Sequence, residues 1–240
     1  MFYYFKELAS TIDEAADAGY VHGDVVVAEF QTAGRGQRGN RWSSAAGQNL
    51  MFSVVLDSSF LGAGEQFLLL QTVAVALVDT MAEYGLDARV KWTNDIYIGD
   101  RKITGVLIDH THGPGGKLRR SGVGVGINVN QTVFEDWLPN PTSMALEAGR
   151  EFDRREVLER FHAHIMKLYE LLRAGEGEEI RKKYHEKIYR RDTLARFALP
   201  DGTGFSGTIR GVAPGGELLV DDPAGGAQKS FLFREVSFVI

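Results

Sequence analysis

The chain has 240 residues, of which 44% are hydrophobic and 25% charged, so it holds enough apolar material for a sizeable core. Its formal net charge of −5 excludes a global basic field that would draw it onto nucleic acid or anionic lipid, and the absence of cysteine excludes disulfides, thiolate metal sites and a cysteine nucleophile. The start of the chain lacks the segments of a signal peptide, and the most apolar run, residues 67–78, is too short to span a bilayer. We therefore expect a cytoplasmic protein that binds neither membrane nor nucleic acid.

The N-terminal part predicts a short helix followed by strands and helices. Thr11 and Glu14 fit a capping box, so this helix should begin near Ser10, and Gly19 is its expected stop. The further predicted elements are strands at 24–31 and 49–57, a core helix at 64–85, two strands at 88–110 about a turn at Gly99 and Asp100, a turn at 113–116, a strand at 121–130, an amphipathic helix from about Asp153 and a charged helix at 177–188.

The residue pattern of the sequence changes after Tyr189. Short β-rich runs there alternate with turns rich in glycine and proline, which is typical of a small all-β module near the lower size limit of a domain. We predict an α+β main domain over residues 1–188 and a small β-barrel over residues 189–240.

A basic glycine-rich segment at residues 34–39 comes after the first buried strand and matches the pattern G-x-G-x-x-G. A dinucleotide site would also need a helix opening at the third glycine, and the residues after that glycine are poor helix formers. A nucleic-acid site would use Arg35, Arg38 and Arg41 on phosphates, but no second basic stripe accompanies them. For each single arginine, a solvated surface loop is also a consistent interpretation, but it does not explain the presence of Trp42. We favour a loop whose backbone and arginines bind an anionic ligand, with Trp42 covering it.

The predicted strand pair at 88–110 carries a group of charged side chains. Pairing about its turn puts Lys102 opposite Tyr97, and alternation without a bulge places Lys91, Asp95, Tyr97 and Lys102 on one face. This face is either an exposed, salt-bridged surface or a set of phosphate contacts with a carboxylate that holds Mg²⁺ or orients a lysine. The pattern alone leaves both interpretations open.

The predicted strand at 121–130 alternates between branched aliphatic residues and a face formed by Gly122, Gly124 and Gly126. A glycine-lined face occurs where a ligand or a packed helix lies close to the backbone. Asn128 and Asn130 continue this face, and an asparagine can offer both a donor and an acceptor to an adenine edge.

Four segments in this order resemble the signature segments of biotin protein ligases, and the resemblance extends to STIDEA at residues 10–15 and to the β-rich tail. The segments are GRGQRGNRW (34–42), KWTNDIYI (91–98), RKITGVLI (101–108) and GVGIN (124–128). The resemblance implies an SH2-like α+β catalytic domain, a mixed sheet with helices, followed by an SH3-like β-barrel. It also implies an ATP- and Mg²⁺-dependent enzyme that converts biotin to biotinyl-5′-AMP and transfers it to a lysine of a biotin carboxyl carrier protein. Lipoate or octanoate ligases and transferases are the near alternative.

The same resemblance implies residue roles. Lys102 and Arg35 are the expected catalytic residues, Asp95 is a candidate Mg²⁺ ligand, and a homodimer is a possible assembly. The expected biotin-binding residues are Ser10, Thr11, Ile12, Gln31, Arg35, Gly36, Gln37, Lys102 and Gly105. The expected nucleotide-binding residues are Arg38, Trp42, Lys91, Asn94, Asp95 and Asn128.

Several positions depart from the family pattern. Ile12 stands where asparagine is common, Gln37 and Asn40 replace arginines, and Thr93 replaces a proline. The chain also begins almost at the catalytic domain, so we expect the form that lacks an N-terminal DNA-binding domain.

Overall fold

A computed structural model describes residues 1–62, 64–223 and 225–240, and the side chain of Arg38 lies outside the described part. Its main element is a seven-stranded mixed sheet with the order β1-β2-β3-β7-β6-β5-β4, in which only β1 and β2 are parallel. The strands are β1 (Phe2–Phe5), β2 (Val25–Ala28), β3 (Leu50–Asp57), β4 (Ala88–Lys91), β5 (Asp95–Ile98), β6 (Arg101–His112) and β7 (Leu118–Ile127).

The helices are α1 (Thr11–Glu14), α2 (Gln66–Glu83), α3 (Met144–Ala148), α4 (Arg154–Arg173) and α5 (Gly177–Glu186). The longer helices, α2, α4 and α5, cover one face of the sheet. The core lies between α2, α4, α5 and the sheet residues that point toward them, such as Val123, Val125 and Ile127. The exception is α1, which packs on the opposite face, against β2, β3 and β7. The glycine-lined side of β7 therefore faces away from the large helices and is left for the site described below.

α2 is long and apolar enough to cross a membrane by length and composition alone. In the fold, 67% of it is buried, and it packs against α4, α5 and the sheet. The prediction of a core helix is confirmed.

A second, antiparallel sheet of five strands comes next in the chain, with the order β11-β10-β9-β8-β12. Its strands are β8 (Leu194–Ala198), β9 (Gly204–Val212), β10 (Leu218–Asp221), β11 (Lys229–Phe231) and β12 (Ser237–Phe238). The α+β class with a small C-terminal β unit is thus confirmed, whereas the division at residue 189 stays a prediction. The two sheets are joined where Trp92 Nε1 donates to the Gly216 carbonyl at 2.8 Å.

The predicted capping box is wrong. Ser10, not Thr11, is the N-cap of α1, no side chain caps the helix, and α1 ends at Glu14 rather than at Gly19. The Glu14 carboxylate accepts a hydrogen bond from the Tyr20 hydroxyl at 2.8 Å instead of reaching back to the helix start.

The predicted pair of strands at 88–110 is three strands. The chain reverses between Lys91 and Asp95, which are cross-strand partners, so β4 and β5 form a hairpin before the turn at Gly99. A register shift between Ile96 and Tyr97 interrupts the assumed alternation, although Tyr97 does pair with Lys102 as predicted.

Candidate functional site

The loop at residues 34–42, here called the glycine–arginine loop, is a narrow hairpin. The backbones of Arg35 and Arg41 form an isolated antiparallel β-bridge. The Gly36 N–H donates to the Asn40 carbonyl at 2.7 Å, and the Trp42 N–H donates to the Gly34 carbonyl at 3.0 Å. A Cβ atom at Gly34 would lie 2.5 Å from the Trp42 carbonyl oxygen. These glycines therefore let the two sides of the hairpin approach each other, and the Gly36 N–H is occupied within the loop.

The segment between this loop and β3 excludes the dinucleotide interpretation. Residues 40–49, all of which the structure describes, contain no helix and lead directly into β3. The helix N-terminus that a dinucleotide pyrophosphate needs is therefore missing.

Two glycines form a floor beneath the loop. Gly105 on β6 and Gly126 on β7 are cross-strand partners, and the Trp42 indole lies on both. A Cβ atom would lie 2.9 Å from Cζ3 of Trp42 at Gly105, and 2.5 Å from Cζ2 at Gly126. The indole Nε1 is buried without a hydrogen-bond partner among the described residues. Trp42 thus lies flat on a surface that only glycine provides.

Ile12 covers the other end of the glycine face. A Cβ atom at Gly124 would lie 3.2 Å from Ile12 Cδ1, and one at Gly122 would lie 3.6 Å from Ile12 Cγ1. The predicted alternation of β7 is confirmed, and its glycines receive side chains from α1 and from the glycine–arginine loop.

The backbone around Ile12 is fixed by polar contacts beneath the site. The Thr11 N–H donates to Gln31 Oε1 at 2.6 Å, and the Ser53 hydroxyl donates to Thr11 Oγ1 at 3.0 Å. Ser10 and Thr11 are both buried. The Thr11 hydroxyl is thus engaged with β3, which explains why it does not cap α1.

The charged side chains of β4, β5 and β6 come together as predicted. Lys102 Nζ lies 2.7 Å from Asp95 Oδ1, and Lys91 Nζ lies 4.8 Å from the centre of the Tyr97 ring. The reversal between β4 and β5, rather than alternation along one strand, brings Lys91 beside Asp95. Lys102 also lies 5.8 Å from the centre of a Trp42 ring, which links this cluster to the floor.

Burial changes the proton affinity of two groups here. It lowers the pKa of Lys91, and the nearby Lys102 cation lowers it further while Asp95 opposes the change. Burial also raises the pKa of Tyr97 to about 12. A partly desolvated lysine beside a second lysine is an arrangement that an incoming anion would stabilise.

These parts enclose a first cavity of about 170 Å³ between the glycine–arginine loop and the sheet. All residues expected to bind biotin line it, which are Ser10, Thr11, Ile12, Gln31, Arg35, Gly36, Gln37, Lys102 and Gly105. Trp42, Lys91, Asn94 and Asp95, from the set expected to bind nucleotide, line it as well. Segments far apart in the sequence therefore meet around one space.

A second cavity of about 420 Å³ lies on the other side of Trp42. The residues that line both cavities are Asn40, Arg41, Trp42, Lys91, Asp95 and Lys102. The remaining wall of the second cavity includes Asn128, Phe134 and the segment 137–141. The lysine–aspartate cluster thus stands at the junction of two spaces.

Two residues expected to bind nucleotide, Asn128 and Arg38, are not among the described residues that line the first cavity. Asn128 lines the second cavity and not the first, is buried, and donates from Nδ2 to the Thr142 carbonyl at 2.9 Å, which uses one of its two amide hydrogens. The expectation for Arg38 concerns a side chain outside the described part of the structure.

Sequence reasoning missed several aromatic residues of the site, among them Phe233 and Trp137. Phe233, from the C-terminal segment, lines the first cavity and packs against Trp92, with ring centres 6.2 Å apart. Trp137 lines the second cavity and is 57% exposed. An aromatic residue in the irregular segment FEDWLPNP was a usable signal for Trp137, whereas nothing local pointed to Phe233.

The acidic residues were tested for a metal site. Among the described residues, no group of three or more histidines and carboxylates converges on one point, and Asp95 is the one carboxylate that lines either cavity. Mg²⁺ commonly binds through one or two carboxylates together with substrate phosphates and water. A single carboxylate is compatible with a Mg²⁺ ion that arrives with a phosphate ligand, and Asp95 is the residue that would contact it.

Comparison with known proteins identifies this arrangement. The sequence model of the biotin/lipoate A/B protein ligase family matches residues 6–128, slightly more than half of the chain. This chain belongs to that family. The resemblance to biotin protein ligases is confirmed.

Individual relatives agree with the family assignment. The biotin--[acetyl-CoA-carboxylase] ligase of Paracoccus denitrificans is 30% identical over 211 residues, which cover 83% of this chain and 85% of the relative. Biotin protein ligase from Aquifex aeolicus, solved in complex with biotin and ATP, is 25% identical with a TM-score of 0.82, covering 98% of this chain and 97% of that chain. The expected fold, an SH2-like catalytic domain followed by an SH3-like unit, is therefore confirmed.

Other members of the biotin/lipoate ligase family are longer. The bifunctional ligase/repressor BirA of Salmonella typhimurium is 32% identical over 223 residues, which cover 90% of this chain and 66% of the relative. Across the ligase/repressors that it matches first, this chain spans between 42% and 66% of their length.

Proposed function

We propose that this protein is an ATP-dependent biotin–protein ligase that acts in the cytoplasm. It activates biotin as biotinyl-5′-AMP and transfers the biotinyl group to a lysine of a biotin carboxyl carrier protein. The observation that carries the proposal is the pair of cavities that share Lys91, Asp95 and Lys102 on either side of Trp42. A reaction that joins an acyl group to a nucleotide needs two adjoining spaces with cations where they meet.

In the first step, a biotin carboxylate oxygen attacks the α-phosphorus of ATP, and pyrophosphate leaves. The carboxylate and the polyphosphate repel each other, so fixed positive charge at their meeting point should supply most of the catalysis. Lys102 is our choice for this role because it lines both cavities and its Nζ lies 2.7 Å from Asp95, the candidate Mg²⁺ contact. Lys91 supports it from a more desolvated position. A Mg²⁺ ion held by Asp95 would neutralise phosphate charge.

In the second step, the amine of the acceptor lysine attacks the acyl carbon of the mixed anhydride, and AMP leaves. The anhydride must survive in water until the acceptor arrives, so its enclosure matters. The glycine–arginine loop and Trp42 cover the floor on which the acyl part would lie. We assign biotin to the first cavity and the nucleotide to the second.

The substrates can be tested in one assay. The protein is mixed with Mg-ATP, biotin and a biotin carrier domain, while pyrophosphate release and biotinyl-lysine formation are measured. Parallel reactions contain lipoate or octanoate, with a lipoyl carrier domain, in place of biotin. Transfer of biotin alone supports the proposal, whereas transfer of lipoate or octanoate would move the assignment to the other branch of the family. Absence of transfer from all three acids would overturn it.

A further inference from the structure

Arg35 is held by two carboxylates that do not belong to either cavity. Its Nη1 atom lies 2.5 Å from Asp13 Oδ1 and 3.0 Å from Asp109 Oδ2. The hydrogen bond that Arg35 donates to Asp13, together with both acidic charges, raises the pKa of the arginine, so it stays cationic. The Nη1 end of the guanidinium is therefore engaged with protein acids.

The two acids belong to different elements that meet at one end of the first cavity. Asp13 lies in α1, directly after Ile12, and Asp109 lies on β6, opposite Gly122 of β7. Ile12 in turn covers Gly122 and Gly124. Arg35 thus ties the glycine–arginine loop to α1 and to β6 at the end of the cavity where Ile12 packs.

Anchoring Arg35 also fixes the remainder of the loop. The backbone of Arg35 pairs with that of Arg41 in a β-bridge, and the next residue, Trp42, donates its N–H to the Gly34 carbonyl. Because the two sides of the hairpin are in register, a displacement of Arg35 would be transmitted to Trp42. The Trp42 indole lies on Gly105 and Gly126, where it separates the two cavities.

We propose that Asp13 and Asp109 are positioning residues that keep the glycine–arginine loop closed through Arg35 and thereby set how long the acyl-adenylate stays bound. This inference rests on the proposed function. It also changes the role of Arg35 from a phosphate contact to a latch. The two roles predict opposite effects of removing the acids on adenylate binding. If the acids hold a latch, their removal should weaken adenylate binding. If they merely compete with a phosphate for Arg35, their removal should tighten it.

The test uses charge-removing variants of nearly equal shape. These are Asp13→Asn, Asp109→Asn and the double variant, with Asp109→Glu as the conservative rescue. The matched control is Asp87→Asn, which removes an Asp–Arg pair of 3.0 Å to Arg89 on an exposed surface that contributes to neither cavity. Asp13 and Asp109 are half exposed, so these substitutions should leave the fold intact.

The first readout is the escape rate of preformed biotinyl-AMP in the absence of acceptor. Two coupled, solvent-exposed ion pairs should slow escape by about 2- to 20-fold, so the double variant should lose adenylate faster by this factor. Wild-type escape should speed up in high salt, whereas the double variant should respond little. Asp109→Glu and Asp87→Asn should release adenylate at nearly the wild-type rate. Unchanged or slower escape from the double variant would overturn the latch.

The second readout needs no reaction. Amide hydrogen exchange of the free protein measures whether the Gly36 and Trp42 N–H groups stay bonded within the loop. The double variant should exchange both faster than wild type, and Asp87→Asn should not. If wild type forms no adenylate, the proposed function has failed, and the exchange rates still decide whether the acids close the loop. Equal exchange in wild type and the double variant would overturn the closure itself.

Discussion

Gly126 and Trp42 are in contact so close that a Cβ atom at position 126 would require the Trp42 indole to move. A Cβ atom there would lie 2.7 Å from the indole Nε1 and 2.5 Å from Cζ2. The contact joins β7 to the glycine–arginine loop and forms part of the wall between the two cavities. The central claim of the proposed function depends on this contact, because it determines where an acyl group and a nucleotide can meet.

Substitution of Gly126 should therefore displace Trp42. Gly126→Ala should lower the rate of adenylate formation by about 10- to 100-fold, as expected for an overpacked site that costs about 1–3 kcal/mol. The matched control is Gly122→Ala on the same face of β7, where a Cβ atom would meet Ile12 Cγ1 at an ordinary 3.6 Å. Steady-state pyrophosphate release measures both variants. Equal losses would mean that the glycine face matters for strand packing and not for Trp42.

Removal of the Lys102 charge should affect chemistry more than binding. Lys102→Met keeps most of the side-chain volume but loses the cation beside Asp95, and adenylate formation should fall by about 10²–10³-fold. Biotin binding, measured by calorimetry, should change much less. Lys117→Met, on the exposed turn before β7, serves as the control for loss of one charge. Near-normal turnover of Lys102→Met would show that another residue carries the cation role.

The buried charge of Lys91 should lower the stability of the fold while it supports adenylate formation. Burial lowers its pKa in the folded state, so the unfolded chain binds this proton more strongly. The free energy of unfolding should therefore rise with pH between the lowered pKa and the ordinary value of 10.5, and the cost should be fully present below that window. Lys91→Met should raise the free energy of unfolding at pH 7 by about 0.5–2 kcal/mol and remove this part of the pH dependence.

Urea unfolding at several pH values measures the effect, and adenylate formation by Lys91→Met should be slower than in wild type. Lys187→Met is a control for removal of a lysine that is ion-paired with Asp79 away from both cavities. A Lys91→Met variant that is less stable than wild type at pH 7 would contradict the assigned cost of burial.

Local patterns predicted much of the fold. The alternation of β7 correctly separated its core-facing aliphatic residues from its glycines, because a strand with one buried face has a strict period of two. The amphipathic stretch after Asp153 likewise gave α4, whose first turn Asp153 caps. These elements needed no knowledge of distant residues.

The errors in the predicted elements arose where contacts with residues distant in sequence determine the local structure. The reversal between Lys91 and Asp95 coincides with Trp92, which donates a hydrogen bond across to Gly216. The capping box failed because the Thr11 hydroxyl bonds to Ser53. Phe233 could not be foreseen, since the second sheet brings it to the cavity.

The candidate site was predicted mainly from the family resemblance. Periodicity and charge suggested an anion site but left a salt-bridged surface open for Lys91, Asp95 and Lys102. Whether such residues share a cavity depends on how two hairpins meet, and local sequence does not encode that directly. The engagement of Arg35 with Asp13 and Asp109 was equally invisible, because both acids are ordinary surface residues in the sequence.

The most direct test of the central claim is calorimetric titration with a biotinyl-adenylate analogue whose anhydride is replaced by a stable linkage. We expect a single site per chain, an affinity far above that of biotin or ATP alone, and a large loss of affinity in Gly126→Ala but not in Gly122→Ala. Binding of the analogue no tighter than its separate halves, or equal binding by the two glycine variants, would contradict a shared site across Trp42.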